Sequence, residues 1–206
     1  MVIAELGGSF SLEQKGEMMK NMMKSKWLQW QRLRWTLLGI GVAALLLRAA
    51  IPTQAMRVES LLQQHDFDLV GPERHAFAKY LVDSAEENHF DPMMVMALIK
   101  VESEFKVGAK SERGAIGLLQ LKPVAAEEVA DQLNFEIKSK HELLDPFKNL
   151  NIGVQYLVYL RDLFGMNWER MLVAYNIGPT AVKNMRHLPQ GYFRKVMRAY
   201  QELQEI

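Results

Sequence analysis

Two glutamates close the apolar run A-L-I-K-V-E-S-E-F-K, Glu102 and Glu104 within residues 97–106. A carboxylate pair can divide acid and base work between its members, provided that both face one site. Helix geometry separates these two. Met94, Leu98, Val101 and Phe105 are spaced as one helical face, with Val95 and Ile99 beside it. Glu102 follows Ile99 by three residues and Leu98 by four, so it rides next to that stripe. Glu104 falls about 200° further round the helix and faces elsewhere. A carboxyl near the C-terminal end of a buried helix is driven toward its neutral form by desolvation and by the helix dipole. Both effects bring it toward the range of a proton donor at neutral pH. Position alone favours the plainer reading, a solvated glutamate in a last turn.

The elements that must position Glu102 are helical. Residues 56–72 read as a short helix and connector ending at Gly71-Pro72. A helix over 73–88 carries Phe77, Tyr80, Leu81 and Ala85 at helical spacing. The next opens at Asp91-Pro92, an N-cap followed by proline at the first helical position. A glycine-rich stretch over 108–123 precedes a further helix after Pro123. Another starts at Asp145-Pro146, with Leu150, Val154, Leu157, Leu160 and Phe164 on one stripe. A short helix over 168–176 is stopped by Ile177-Gly178-Pro179, and residues 191–204 close the chain. The body is therefore expected to be mainly α, with at most a small sheet around 110–121.

Downstream blocks give Glu102-Ser103 a context. They are S-E-R-G-A-I-G-L-L-Q-L-K-P (111–123), N-L-N-I-G-V-Q-Y-L (149–157) and A-Y-N-I-G-P (174–179). In order and spacing this set resembles the catalytic domain of the soluble lytic transglycosylase (SLT) family over about 73–200. The resemblance implies a goose-lysozyme-like, lysozyme-like α+β fold. It also implies cleavage of the MurNAc-β-1,4-GlcNAc bond of peptidoglycan, with Glu102 as the single acid and then base. The glutamic acid protonates the glycosidic oxygen and then takes the proton of the sugar's own C6 hydroxyl, closing a 1,6-anhydro ring without water. Most glycosidases need a second carboxylate. An intramolecular hydroxyl removes that need and carries an entropic advantage.

By the same resemblance Ser111 and Gln120 contact substrate, and Gly114, Ala115 and Gly117 let the backbone approach a sugar. Tyr175 contacts Glu102 or the leaving sugar, beside a helix C-cap built by Asn176 and Gly178. Tyr192 aligns loosely with a late tyrosine of the family. Asn149, Gly153 and Tyr156 fall in a block that is mostly packing. Two positions depart from the family pattern: Leu119 replaces a methionine of similar volume, and Lys122 occupies a commonly apolar position before proline. A lysozyme-like muramidase using water, and a non-catalytic cell-wall-binding assembly subunit, are the other functions this scaffold admits.

Composition bounds the remainder. The 206 residues include no cysteine, which excludes disulfides, thiolate metal sites and cysteine nucleophiles. The five histidines show no metal-binding spacing, and the thirteen methionines read as core filler rather than a cofactor box. No metal or other cofactor is expected. Residues 1–55 carry seven of the 25 Lys/Arg and three of the 24 Asp/Glu, leaving 18 bases against 21 acids. So faintly acidic a body argues against nucleic acid as a partner.

The basic tail precedes an uncharged run over 35–47, W-T-L-L-G-I-G-V-A-A-L-L-L, flanked by Trp27, Trp30 and Trp35. One reading is a signal peptide cleaved near Ala55. The other is an uncleaved anchor, short for a ~30 Å hydrocarbon core unless Arg34 and Arg48 snorkel outward. In both the body lies beyond the membrane, in the periplasm or cell envelope. The expected organisation is a basic tail with signal or anchor over 1–55, a linker over 56–72 and a catalytic domain over 73–206. The implied partners are peptidoglycan glycan strands, the membrane through the N-terminal segment, and a cell-wall-spanning secretion or remodelling complex.

Overall fold

Two Asp-Pro pairs start two of the buried helices. Asp91 Oδ1 accepts from the Met93 amide at 2.8 Å, and Asp145 Oδ1 accepts from Phe147 and Lys148 at 2.9 and 3.0 Å. Each aspartate satisfies amides that no helical carbonyl can reach, while the proline gives up an N–H that had no partner. The computed structural model describes residues 53–132, 137 and 139–205, with scattered positions between 17 and 36. Its elements are α1 (Gln54–Gln64), α2 (Gly71–Glu87), α3 (Pro92–Ser103), α4 (Pro123–Gln132), a 3-10 turn η1 (Lys140–Leu144), α5 (Pro146–Phe164), α6 (Trp168–Ile177), α7 (Pro179–Lys183) and α8 (Gln190–Gln204).

The chain divides into two units, Met1–Ile51 and Pro52–Ile206. Apart from Thr36, the uncharged run over 35–47, with its two membrane readings, lies outside the described residues. No helix among the described residues is long and apolar enough to cross a membrane.

Within the second unit α3 is the central element. Every residue from Pro92 to Ile99 is buried, as expected for a helix that is apolar all round. It packs against α8, α2 and α1. The stretch expected to link tail and body is itself part of the core: Val58, Leu61 and Leu62 of α1 and Phe67 after it are buried. Arg57 Nη2 donates to the carbonyls of Gln204 at 2.9 Å and Leu203 at 3.4 Å. That contact satisfies two carbonyls at the C-terminal end of α8 that the helix leaves without partners.

Between α3 and α4 the described residues form no ladder longer than single bridges, Lys110 with Ile116 and Ile116 with Leu121. Gly114, Gly117 and Gln120 all take positive φ, at 79°, 80° and 45°. The chain reverses every three residues, too often for strands to run. The helix-period stripe of α5 buries Leu150, Val154, Leu157 and Leu160 as expected, with Phe164 half-buried.

Gly153 shows how tightly α5 approaches the loop. A Cβ at this position would lie 2.2 Å from Leu119 Cδ1 and 3.1 Å from its Cβ. Gly153→Val is expected to destabilise the protein by about 1–3 kcal/mol through overpacking. Its melting temperature should fall by roughly 2–4 °C for each kcal/mol, measured by calorimetry on the full chain.

Candidate active site

Glu102 stands in the last turn of α3, whose end is set by two consecutive left-handed residues. Glu104 and Phe105 take φ of 50° and 63°, a region that costs a non-glycine residue about 1 kcal/mol or more. Phe105 is 1% exposed and stacks on His65 with ring centroids 4.8 Å apart, so its burial holds the turn. The same turn sends Glu104 into solvent and leaves Glu102 half-buried. Ser103 is buried and donates its hydroxyl to the Ile99 carbonyl at 3.0 Å. It serves the helix rather than the site.

The partner of Glu102 comes from α8. Val196, Ala199 and Leu203 bury one stripe of that amphipathic helix, and the packing brings Tyr192 and Lys195 onto the end of α3. The Tyr192 hydroxyl donates to Glu102 Oε1, and Lys195 Nζ donates to the Val101 carbonyl at 3.3 Å. Burial raises the ionisation point of the Glu102 carboxyl. The Tyr192 hydrogen bond and the Lys195 charge oppose that rise without cancelling it. Tyr192 is itself pushed well above the usual phenol range, by burial first and by the Glu102 charge next. Its hydroxyl therefore keeps its proton and acts toward Glu102 as a donor. Among the described residues, the groups that set the state of Glu102 are this phenol and this ammonium, not a second carboxylate.

Tyr175 occupies a neighbouring place with a different bond. Its hydroxyl donates to the Leu119 carbonyl at 2.7 Å, and its ring lies 5.4 Å from that of Tyr156. Burial raises its ionisation well above the usual range, with the Glu102 charge as the next cause. The expected contact between Tyr175 and Glu102 is thus one of proximity, and the hydrogen bond belongs to Tyr192. Gly178 caps α6, its amide bonding the Ala174 carbonyl at 2.8 Å.

The loop is fixed from below by one face of α5, on which Asn149, Gly153 and Tyr156 recur at four- and three-residue spacing. Asn149 is fully buried. Its Oδ1 accepts from the Leu119 amide at 2.8 Å, and its Nδ2 donates to the carbonyls of Ile116 and Leu143, both at 2.9 Å. Leu119 is thereby held by Asn149 at its N–H, by Tyr175 at its carbonyl and by Gly153 at its side chain. The expectation that this block is packing agrees with its contacts, and what it packs is the site loop.

The loop's own residues divide in role. Ser111 is exposed, and its Oγ accepts from the Ala115 amide at 3.0 Å. Gln120 Nε2 donates to the carbonyls of Ala109 and Gly117 at 3.2 and 3.0 Å, so its amide braces the loop. Gly117 is buried, and a Cβ there would meet Asn149 Nδ2 at 2.2 Å and the Leu143 carbonyl at 2.4 Å. Its missing side chain is what lets Asn149 and η1 approach the loop. Gly114 has open space where a side chain would go, which leaves it free to admit a ligand. The residue that reasoning from sequence passed over is Lys195. Its signal was its place one turn after Tyr192 on an amphipathic helix.

The site brings Glu102 and Tyr192 into contact, with the Lys195 charge near enough to act on Glu102 and Tyr175 close by. Ser111 and Gln120 sit on the loop that Tyr175 holds at Leu119. Glu102, Ser111, Gln120, Tyr175 and Tyr192 all fall within residues 79–195, the stretch matched by the family model of the transglycosylase SLT domain. The soluble lytic murein transglycosylase of Escherichia coli K12 is 38% identical over 89 residues, covering 43% of this chain and 14% of that protein. The membrane-bound lytic murein transglycosylase F of Desulfosudis oleivorans is 34% identical over 135 residues, covering 61% of this chain and 27% of that one. The chain thus spans a small part of the length of these relatives. The solved structure of the 70 kDa soluble lytic transglycosylase from Escherichia coli superposes with a TM-score of 0.49 at 27% identity, over 61% of this chain and 20% of that one. The matched stretch is more than half of the chain, and the chain belongs to the transglycosylase SLT domain family.

Proposed function

We propose that the protein is a peptidoglycan lytic transglycosylase. It cleaves the MurNAc-β-1,4-GlcNAc bond and releases a 1,6-anhydromuramyl product, with Glu102 as the only acid and base. The observation that carries this reading is the half-buried Glu102 carboxyl, raised toward its protonated form and hydrogen-bonded to a phenol instead of to a second carboxylate. A protonated Glu102 donates to the glycosidic oxygen, and the carboxylate left behind is stabilised by the Tyr192 hydroxyl and the Lys195 ammonium. That carboxylate then takes the proton from the sugar's C6 hydroxyl, whose oxygen closes the ring as the glycosidic bond completes its cleavage. The acid is regenerated and atoms balance without water. The basic tail and the uncharged run over 35–47 support an envelope location, exported or anchored, as does the similarity to the membrane-bound lytic murein transglycosylase F of Desulfosudis oleivorans.

The test compares wild type with Glu102→Gln on intact sacculi, reading released muropeptides by mass spectrometry. Products that lack one water relative to hydrolysis, and their absence from the variant, are expected. Tyr192→Phe supplies a second readout. The phenol holds the Glu102 ionisation point down by stabilising the carboxylate, so its removal lets that point rise further. The alkaline limb of kcat/KM, where Glu102 loses the proton it must donate, should therefore move to higher pH. An unchanged limb would show that Tyr192 does not bear on the acid.

A further inference from the structure

The loop that carries Ser111 also borders a cleft whose lining does not include Glu102, Tyr175 or Tyr192. Its volume is about 590 Å³, and it is lined by Lys110, Arg113 and Lys122 from the loop and by Lys140 and His141 from η1, with Ser111 among them. Among the described residues the others in the lining are small or apolar, and none is Asp or Glu. All five basic side chains are exposed. Among the described residues, none of the three lysines or Arg113 belongs to an ion pair. The nearby Glu142 is held by Lys148 at 2.7 Å, and Glu112 is exposed outside the lining.

The concentration of charge is local. Beyond residue 55 the chain holds 18 bases against 21 acids, so a cleft with four unpaired cations and no acid among its described lining residues does not follow from bulk composition. Like charges around one concavity repel each other and raise its potential, which favours an anionic occupant. Glu102, Tyr175 and Tyr192 are not among the lining residues, so the occupant is not at the bond being cut. It sits on the same loop, however: Lys122 is two residues from Gln120, and Ser111 faces the cleft. A glycan strand's sugar rings offer hydroxyls and amides there, while its peptide side chains offer carboxylates.

We propose that this cleft is a subsite for the carboxylates of peptide stems on the glycan strand, so that the chain prefers glycan whose stems are present and ionised. The inference rests on the glycan-cleaving function proposed above. Lys122 contributes one of the cleft's cations, next to Pro123 at the start of α4.

The full chain is compared with a Lys122→Met, Arg113→Gln double variant on three substrates. These are intact sacculi, sacculi whose peptide carboxylates have been converted to amides, and glycan freed of its stems by an amidase. Wild type is expected to show an apparent KM about three- to tenfold lower on intact sacculi than on the other two, the gain that a few exposed, screened charges supply. The double variant should lose that gap with little change in kcat, and added salt should close the gap in wild type. The proposal is overturned by a wild type without the gap, or by a gap that persists in the double variant. A double variant equally impaired on all three substrates overturns it too, since the cleft then serves the sugars. A double variant that matches wild type throughout shows that Lys122 and Arg113 do not read the stems and equally overturns it. Release from none of the substrates by wild type overturns the glycan-cleaving reading and this one with it.

Discussion

Glu102→Gln should release muropeptides from sacculi at least about a thousandfold more slowly than wild type, a loss in the range of a positioned acid/base group. The amide fits the same space and accepts the Tyr192 hydrogen bond, but it has no proton to give the glycosidic oxygen and cannot take one from the C6 hydroxyl. Stability should move the other way. A carboxyl whose ionisation point is raised by burial binds its proton more tightly folded than unfolded, so ionising it costs folding free energy. That cost is absent below the unfolded ionisation point, grows through the interval between the two, and is fully present above the folded one. Glutamine removes it. Glu102→Gln should therefore melt no lower than wild type at neutral pH, and any gain should disappear as pH falls below the ordinary carboxylate range. An inactive variant that also melted lower would reflect damage to the fold and not lost chemistry.

Asn149→Ala should do the reverse, with its largest effect on stability. The substitution leaves the Leu119 amide and the Ile116 and Leu143 carbonyls without their partner in a fully buried setting. Each buried group left unsatisfied costs about 1–3 kcal/mol. A total loss of about 3 kcal/mol or more corresponds to a fall in melting temperature of roughly 10 °C for a protein of this size. The Ser111–Gln120 loop loses its clamp at the same time, so activity should decline well below the melting transition, while Tyr192 and Lys195 keep Glu102 in place. Thermal melts together with release assays at low temperature separate the two effects. Unchanged stability would mean that the loop is held chiefly from elsewhere.

What the sequence made legible were features whose physics is local. Asp91-Pro92 and Asp145-Pro146 announce helix starts because cap and proline act within one turn. The phase of Glu102 against Leu98 and Ile99 separates it from Glu104 by helix geometry alone. Contacts across long separations were less legible. Tyr192 meets Glu102 over 90 positions, and only the packing of α8 on α3 selects it above Tyr175 as the hydrogen-bonding partner. Gly117 has the sequence of a ligand-approach glycine, yet its missing side chain accommodates Asn149, a partner 32 residues away in the chain. The helix of residues 54–64 read as part of a linker because its apolar stripe is short, and its anchor, Arg57 on the end of α8, lies at the other end of the domain. The cationic cleft was foreshadowed only by Lys122, since η1 brings Lys140 and His141 to it through the fold.

The central claim is that one carboxylic acid cuts the strand with the sugar's own hydroxyl in place of water. Its most direct test is the mass of muropeptides released from intact sacculi by the full chain in isotopically heavy water. Anhydro products that are one water lighter than hydrolysis products, with no heavy oxygen incorporated, are the predicted result. Reducing ends carrying the heavy oxygen would contradict it.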